Sequence, residues 1–118
     1  MMGTETLKVA FATTAHSGLQ DVMSTVFGRS NTFTIIDLEG DAVKELEVLE
    51  NPAISYKHGA GPIVVKMLVD HGVKVVVGPE CGVGASSLLE QHGVAHVIVE
   101  PGTGVNEALR KTLIATKK

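Results

Sequence analysis

The chain has 118 residues, a formal net charge of −3, 44% hydrophobic residues and only 3% aromatic ones. That size suits one soluble α/β domain over residues 1–118 with an aliphatic core, in which roughly two-thirds of the unfolded surface is buried. No basic cluster stands out beyond the Arg110–Lys118 tail, so nucleic-acid binding lacks its electrostatic drive, and Cys81, the only cysteine, excludes an internal disulfide and suits a reducing, cytoplasmic setting.

The first apolar run, Leu7 to Ala12, is too short for a signal peptide or a membrane span, so no membrane role is expected. Leu7 to Thr13 reads as a central first strand. Val22, Met23 and Val26 have helical spacing and suggest a short helix between Ser17 and Ser30, ending in the loop Phe27-Gly28-Arg29-Ser30. Thr32 to Leu38 and Val43 to Leu49 read as strands joined antiparallel through Glu39-Gly40-Asp41. Glu45 and Glu47 share one face of the third strand, a half-polar pattern that suits an exposed edge.

After Asn51-Pro52 comes the loop Lys57 to Gly61, and Pro62 opens a helix whose inner face is expected at Ile63, Val64, Met67, Leu68 and His71. Gly72 terminates it, and Val73 to Val77 follows as a buried parallel strand. The motif His71-Gly72-Val73 recurs as His92-Gly93-Val94. Each copy leads into a strand, a glycine-containing loop and a further helix. The later strand is expected at Val97 to Val99, with Thr103 as the N-cap of the last helix and Val105, Ala108, Leu109, Thr112 and Leu113 on its inner face. Right-handed crossovers then give a five-stranded mixed sheet of order 3-2-1-4-5, with the second strand antiparallel and helices on both faces.

In such sheets ligands bind beyond the carboxyl ends of the strands, where connections diverge. The loops after the first and fourth strands are therefore expected to bring His16 and Cys81 together. Cys81-Gly82-Val83-Gly84 precedes a helix, where exposed amides favour a thiolate. The competing reading is a small buried apolar cysteine beside a turn. Gly59-Ala60-Gly61 leads into another helix start suited to an anion, with His58 ahead of it, and Arg29 can fork onto a negative ligand if it faces the same cleft. His71 and His92 end helices and read as structural, and His96 reads as a satisfied strand histidine. There is no CxxC, HExxH, P-loop or G-x-S-x-G motif, and neither a nucleophile–base pair nor an acid–base pair is visible, so catalysis is not expected.

At Phe27-Gly28-Arg29, Phe33 to Asp37, Asn51-Pro52, His58-Gly59-Ala60-Gly61, Leu68 to Gly78, Gly82-Val83-Gly84-Ala85 and the helix after Thr103, the sequence resembles the dinitrogenase iron–molybdenum cofactor-binding family. The resemblance spans nearly the whole chain and implies a ribonuclease-H-like α/β fold. It also implies a role in binding the iron–molybdenum cofactor or an iron–sulfur cluster precursor, with cluster donor and acceptor proteins as partners. Phe27, Gly28 and Arg29 match the family's His-Phe-Gly-Arg stretch, and Val26 stands at the histidine position. Gly84-Ala85 stands where relatives often have Asn-Ala.

The resulting expectation is a non-enzymatic cluster carrier, monomeric or weakly homodimeric. Cys81, His58 and His16 would be metal ligands, and Arg29, Gly59, Gly61, Gly82 and Gly84 would contact the cofactor. The alternative is a metal-free regulatory or interaction domain that binds a small anionic metabolite or a protein.

Overall fold

The computed structural model describes residues 6–56 and 58–116. Lys57, and the last two residues of the basic tail, lie outside that range. In chain order come β1 (Thr6–Thr13), a 3₁₀ turn (Gly18–Gln20), β2 (Thr32–Glu39), β3 (Ala42–Glu50), α1 (Ala60–Asp70), β4 (Val75–Gly78), α2 (Val83–Gln91), β5 (Ala95–Ile98) and α3 (Val105–Thr116). The sheet order is β3-β2-β1-β4-β5, as the turn chemistry and the repeated helix–strand units require. β2 runs antiparallel to both neighbours, while β1, β4 and β5 are parallel.

Strand alternation divides the core into two layers. On one face Ala10, Ala12, Phe33, Ile35 and Val76 pack against Val64, Val65 and Leu68 of α1 and Ala85 and Leu89 of α2. On the other, Val9, Phe11, Ile36, Leu38 and Val77 pack against Val105, Ala108 and Leu109 of α3. Small alanines on β1 let α1 and α2 approach their side of the sheet, and the larger Val9 and Phe11 fill the side covered by the single helix. β3 is largely exposed along its length, as an edge strand carrying Glu45 and Glu47 should be.

The two His-Gly-Val repeats are helix terminators. Gly72 and Gly93 adopt φ values of 83° and 69°, and the amides of Val73 and Val94 reach back to the carbonyls of Leu68 and Leu89. Val73 is spent on closing α1, so β4 starts at Val75, two residues later than expected, whereas β5 covers Ala95–Ile98 and starts two residues earlier than the expected Val97. His71 Nδ1 lies 2.9 Å from the Met67 carbonyl, the structural role expected of it.

Three local expectations differ. α1 buries Ala60, Val64, Val65 and Leu68, while Ile63 and His71 are exposed, because the helix begins two residues before Pro62 and contacts β1 and α2 together. Gly104, whose carbonyl accepts the Ala108 amide, takes the capping position expected of Thr103.

The third difference is the segment from Ser17 to Ser30, which forms no α-helix. Its polar backbone is satisfied instead by the buried carboxylate of Asp21, which accepts hydrogen bonds from the amides of Thr14, Ala15, Ser17 and Val22 and from the Thr14 hydroxyl. Burial alone would raise the pKa of Asp21, but the bonds from Val22, Thr14, Ser17 and Ala15 outweigh it and hold the group below the ordinary aspartate value. Met23 then bonds back to Thr103 and bridges Thr13, so the segment is strapped across the ends of β1 and α3.

Candidate functional site

Phe27 anchors the site from below. Its ring is buried, meets Phe33 edge-on at 5.7 Å between centroids and lies 6.2 Å from the His96 ring. The chain after it is clamped by Asn51, also buried, whose side-chain amide donates to the carbonyls of Gly28 (2.9 Å) and Ser30 (2.8 Å) while its oxygen accepts from Ala53. Arg29 is thereby held at the surface, where Nη1 donates to the Tyr56 carbonyl at 3.3 Å.

Glycine is required where this loop meets α1. A Cβ on Gly28 would lie 2.9 Å from the Gly61 nitrogen and 3.1 Å from its Cα, a clash with backbone that has no flexible end to move. Gly61 in turn sits close to α2, with its missing Cβ position 3.2 Å from the Ala85 methyl. The N-termini of α1 and α2 are therefore drawn together beside the Phe27–Arg29 loop.

They enclose an open cleft of about 330 Å³ lined by Val26, Phe27, Gly28, Arg29, Gly61, Pro62, Gly82, Gly84 and Ala85. That volume lies within the usual range for small-ligand sites. Neither helix has a side-chain cap. First-turn amides have no acceptor inside their own helix, so both helix starts bring N–H groups and the positive end of a dipole beside the cleft, with α1 contributing fewer because Pro62 has no N–H. With the Arg29 guanidinium on the rim, the arrangement has the charge and donor chemistry that suits a compact anion.

Of the residues singled out from the sequence, Arg29, Gly61, Gly82 and Gly84 meet here. Gly59, with φ 77°, caps α1 just outside the cleft, and His58 is exposed ahead of it. His16 does not approach Cys81. Its Nε2 lies 3.0 Å from Glu50 at the end of β3, because the Asp21 clamp turns the loop after β1 toward that edge of the sheet. Among the described residues, no group of three or more His, Cys, Asp or Glu side chains is placed to hold a metal ion, so Cys81, His58 and His16 do not form a ligand set.

Cys81 precedes the cap residue Gly82 and is partly buried, packed against the core layer beneath α1 and α2. Its Sγ lies 3.7 Å from His96 Nδ1, while His96 Nε2 lies 3.2 Å from the Pro79 carbonyl. Burial foremost, reinforced by Glu80, pushes the Cys81 thiol up, against a smaller pull from its own amide. Burial pushes His96 down, partly offset by its bond to Pro79 and by Glu80. The pair is therefore a neutral thiol beside a neutral imidazole, and the thiolate expected at this helix start is not what the surroundings favour. Partnering by His96 is the feature sequence reading missed. Its only signal is the β4–β5 register, in which His96 lies opposite Val76 and so shares the face that Cys81 packs against.

The family model for the dinitrogenase iron-molybdenum cofactor matches residues 7–113. The chain belongs to this family. A Thermotoga protein provisionally named NifB, solved by NMR, is 34% identical and superimposes with a TM-score of 0.73 over 90% of this chain and 86% of its own. An uncharacterised protein of Methanocaldococcus jannaschii is 28% identical over 88 residues, 75% of this chain and 74% of that protein. The apo form of the orange protein from Desulfovibrio gigas shares the fold, with a TM-score of 0.82 at 24% identity over 96% of this chain and 92% of its own. Membership in the family agrees with the resemblance carried by Phe27-Gly28-Arg29 and the two glycine loops. Val26 lines the cleft beside Phe27. Among the described residues, no helix is long and apolar enough to cross a membrane.

Proposed function

We propose that this protein is a non-enzymatic carrier that holds an anionic metal–sulfur cluster, the iron–molybdenum cofactor or an iron–sulfur precursor of it, between a donor and an acceptor protein. The observation that carries this reading is the convergence of two uncapped helix N-termini and Arg29 on one cleft. A cluster with its own bridging sulfides needs few protein ligands, and its negative charge matches main-chain amides and a guanidinium. Val26 supplies an apolar wall in place of a ligand, so cargo held mainly by hydrogen bonds and charge is released without breaking several metal–protein bonds. That suits transfer.

Anaerobic titration of the full chain with isolated iron–molybdenum cofactor tests this reading. It predicts cluster-dependent visible absorption and metal retained through gel filtration. Arg29→Ala should bind roughly tenfold more weakly, the loss of one charge-assisted hydrogen bond of about 1.5 kcal/mol. No retained metal would defeat the proposal. The same donors suit any compact anion, so a rise in melting temperature with inorganic phosphate alone, and none with cluster, would favour a metal-free anion-binding domain.

A further inference from the structure

We infer that the free edge of β5 joins two copies of this chain, antiparallel about a two-fold axis, into one continuous sheet. The inference uses no residue that lines the cleft and stands whether or not the cleft carries a cluster.

β5 is the last strand of the sheet and pairs on one side only, with β4. Across that ladder the amides of Ala95 and Val99 donate to the carbonyls of Lys74 and Gly78. Main-chain groups of successive strand residues point to opposite edges, so Val97 also turns toward β4. His96 and Ile98 therefore turn their N–H and C=O groups outward, where no strand lies among the described residues.

A second copy supplies the complement of this pattern. With Val97 on the two-fold axis, His96 lies opposite the partner's Ile98, and the two residues exchange both of their N–H···O=C bonds. The axis repeats the exchange at the other end, as an isologous contact requires. Side chains agree with this register. His96 and Ile98 lie opposite Val76 and Gly78 and share the α2 side of the sheet, so Ile98, 59% exposed, gains the partner's His96 ring as its neighbour. Val97, on the α3 side, meets its own copy at the axis, where an antiparallel pair brings side chains closest.

Charge selects both the edge and the occupant. From Ala95 to Ile98 there is no charged residue type, no proline and no bulge, and burial favours the neutral form of His96. Two such edges meet without repulsion. β3, the other edge, carries Glu45, Glu47 and Glu50, and pairing it with itself would set carboxylates side by side. One edge is guarded against a second copy and the other fits it. So short a strand buries less than the roughly 1,000 Å² of a stable interface, so association is weak and concentration-dependent.

Sedimentation equilibrium of the full chain tests the pairing, with a reductant present so that Cys81 cannot link chains. The mass should climb from 12.4 kDa toward twice that value between about 10 μM and about 1 mM protein. Over the same range, amide hydrogen exchange should slow most at His96 and Ile98 and least at Val97 and Val99, which face β4 in either state. Ile98→Lys changes an exposed position, so it should keep the wild-type urea midpoint yet hold the monomer mass throughout. A wild type that stays monomeric at about 1 mM leaves the edge to a foreign strand and overturns the inference. A dimer whose exchange slows equally at all four amides, or one that Ile98→Lys forms as readily as wild type, uses another surface and overturns it too. Retention of iron–molybdenum cofactor is read in a separate experiment, so the two proposals fail separately.

Discussion

Replacing Asp21 with alanine is expected to destabilise the fold by roughly 2–4 kcal/mol, because several main-chain amides then lose a charged acceptor in a part-buried place. The carboxylate serves the amides of Thr14, Ala15, Ser17 and Val22, so no single water can substitute for it. Asp21→Asn should be nearly as harmful, since its NH₂ group would face N–H donors on one side. The effect has a defined pH dependence. The folded-state pKa of Asp21 lies below its ordinary value of 3.8, so its ionised form stabilises the fold fully above that value. The contribution fades as pH falls through the lower folded-state pKa. Urea unfolding from neutral pH down to acid should therefore show the gap between wild type and variant closing below about pH 4. A gap that is constant with pH would mean the loop is held by something else.

The second large effect is at Gly28. Gly28→Val should cost roughly 1–3 kcal/mol by overpacking and should also abolish cargo retention, because the new side chain must push the Phe27–Arg29 loop away from the start of α1. Gly84 also borders the cleft, but a Cβ there meets nothing within 4 Å, and its place in the first turn of α2 favours alanine. Gly84→Ala should therefore unfold at an equal or higher urea concentration than wild type. Two glycines lining one cleft are expected to respond with opposite signs. Should both tolerate substitution equally, the loop and α1 are not in the contact described.

The contrast between these positions also explains what could be read in advance. The sheet order follows from local features: a tight turn at Glu39-Gly40-Asp41 pairs β2 with β3, and two His-Gly-Val terminators separate parallel strands. The condition set on Arg29, that it face the same cleft as the glycine loops, is met: it lines one cleft with Gly61, Gly82 and Gly84. The failures lie where an outcome depends on a distant side chain. Asp21 reads as one polar residue in a weakly helical stretch, and only the folded loop reveals the amides around it. His16 was expected near Cys81 because β1 neighbours β4, but β1 also neighbours β2, and its loop goes that way. Asn51 reads as punctuation before Pro52, while its side chain holds the very loop that carries Arg29.

The cleft has a further consequence for anyone mapping it by mutation. Most of its donors belong to the main chain at the starts of two helices, and no side-chain truncation removes a peptide N–H. A systematic alanine survey would find Arg29 and little else, and would understate the recognition surface. Replacing single amides by esters, at Gly61 or Gly84, addresses the atoms to which the proposal assigns the holding.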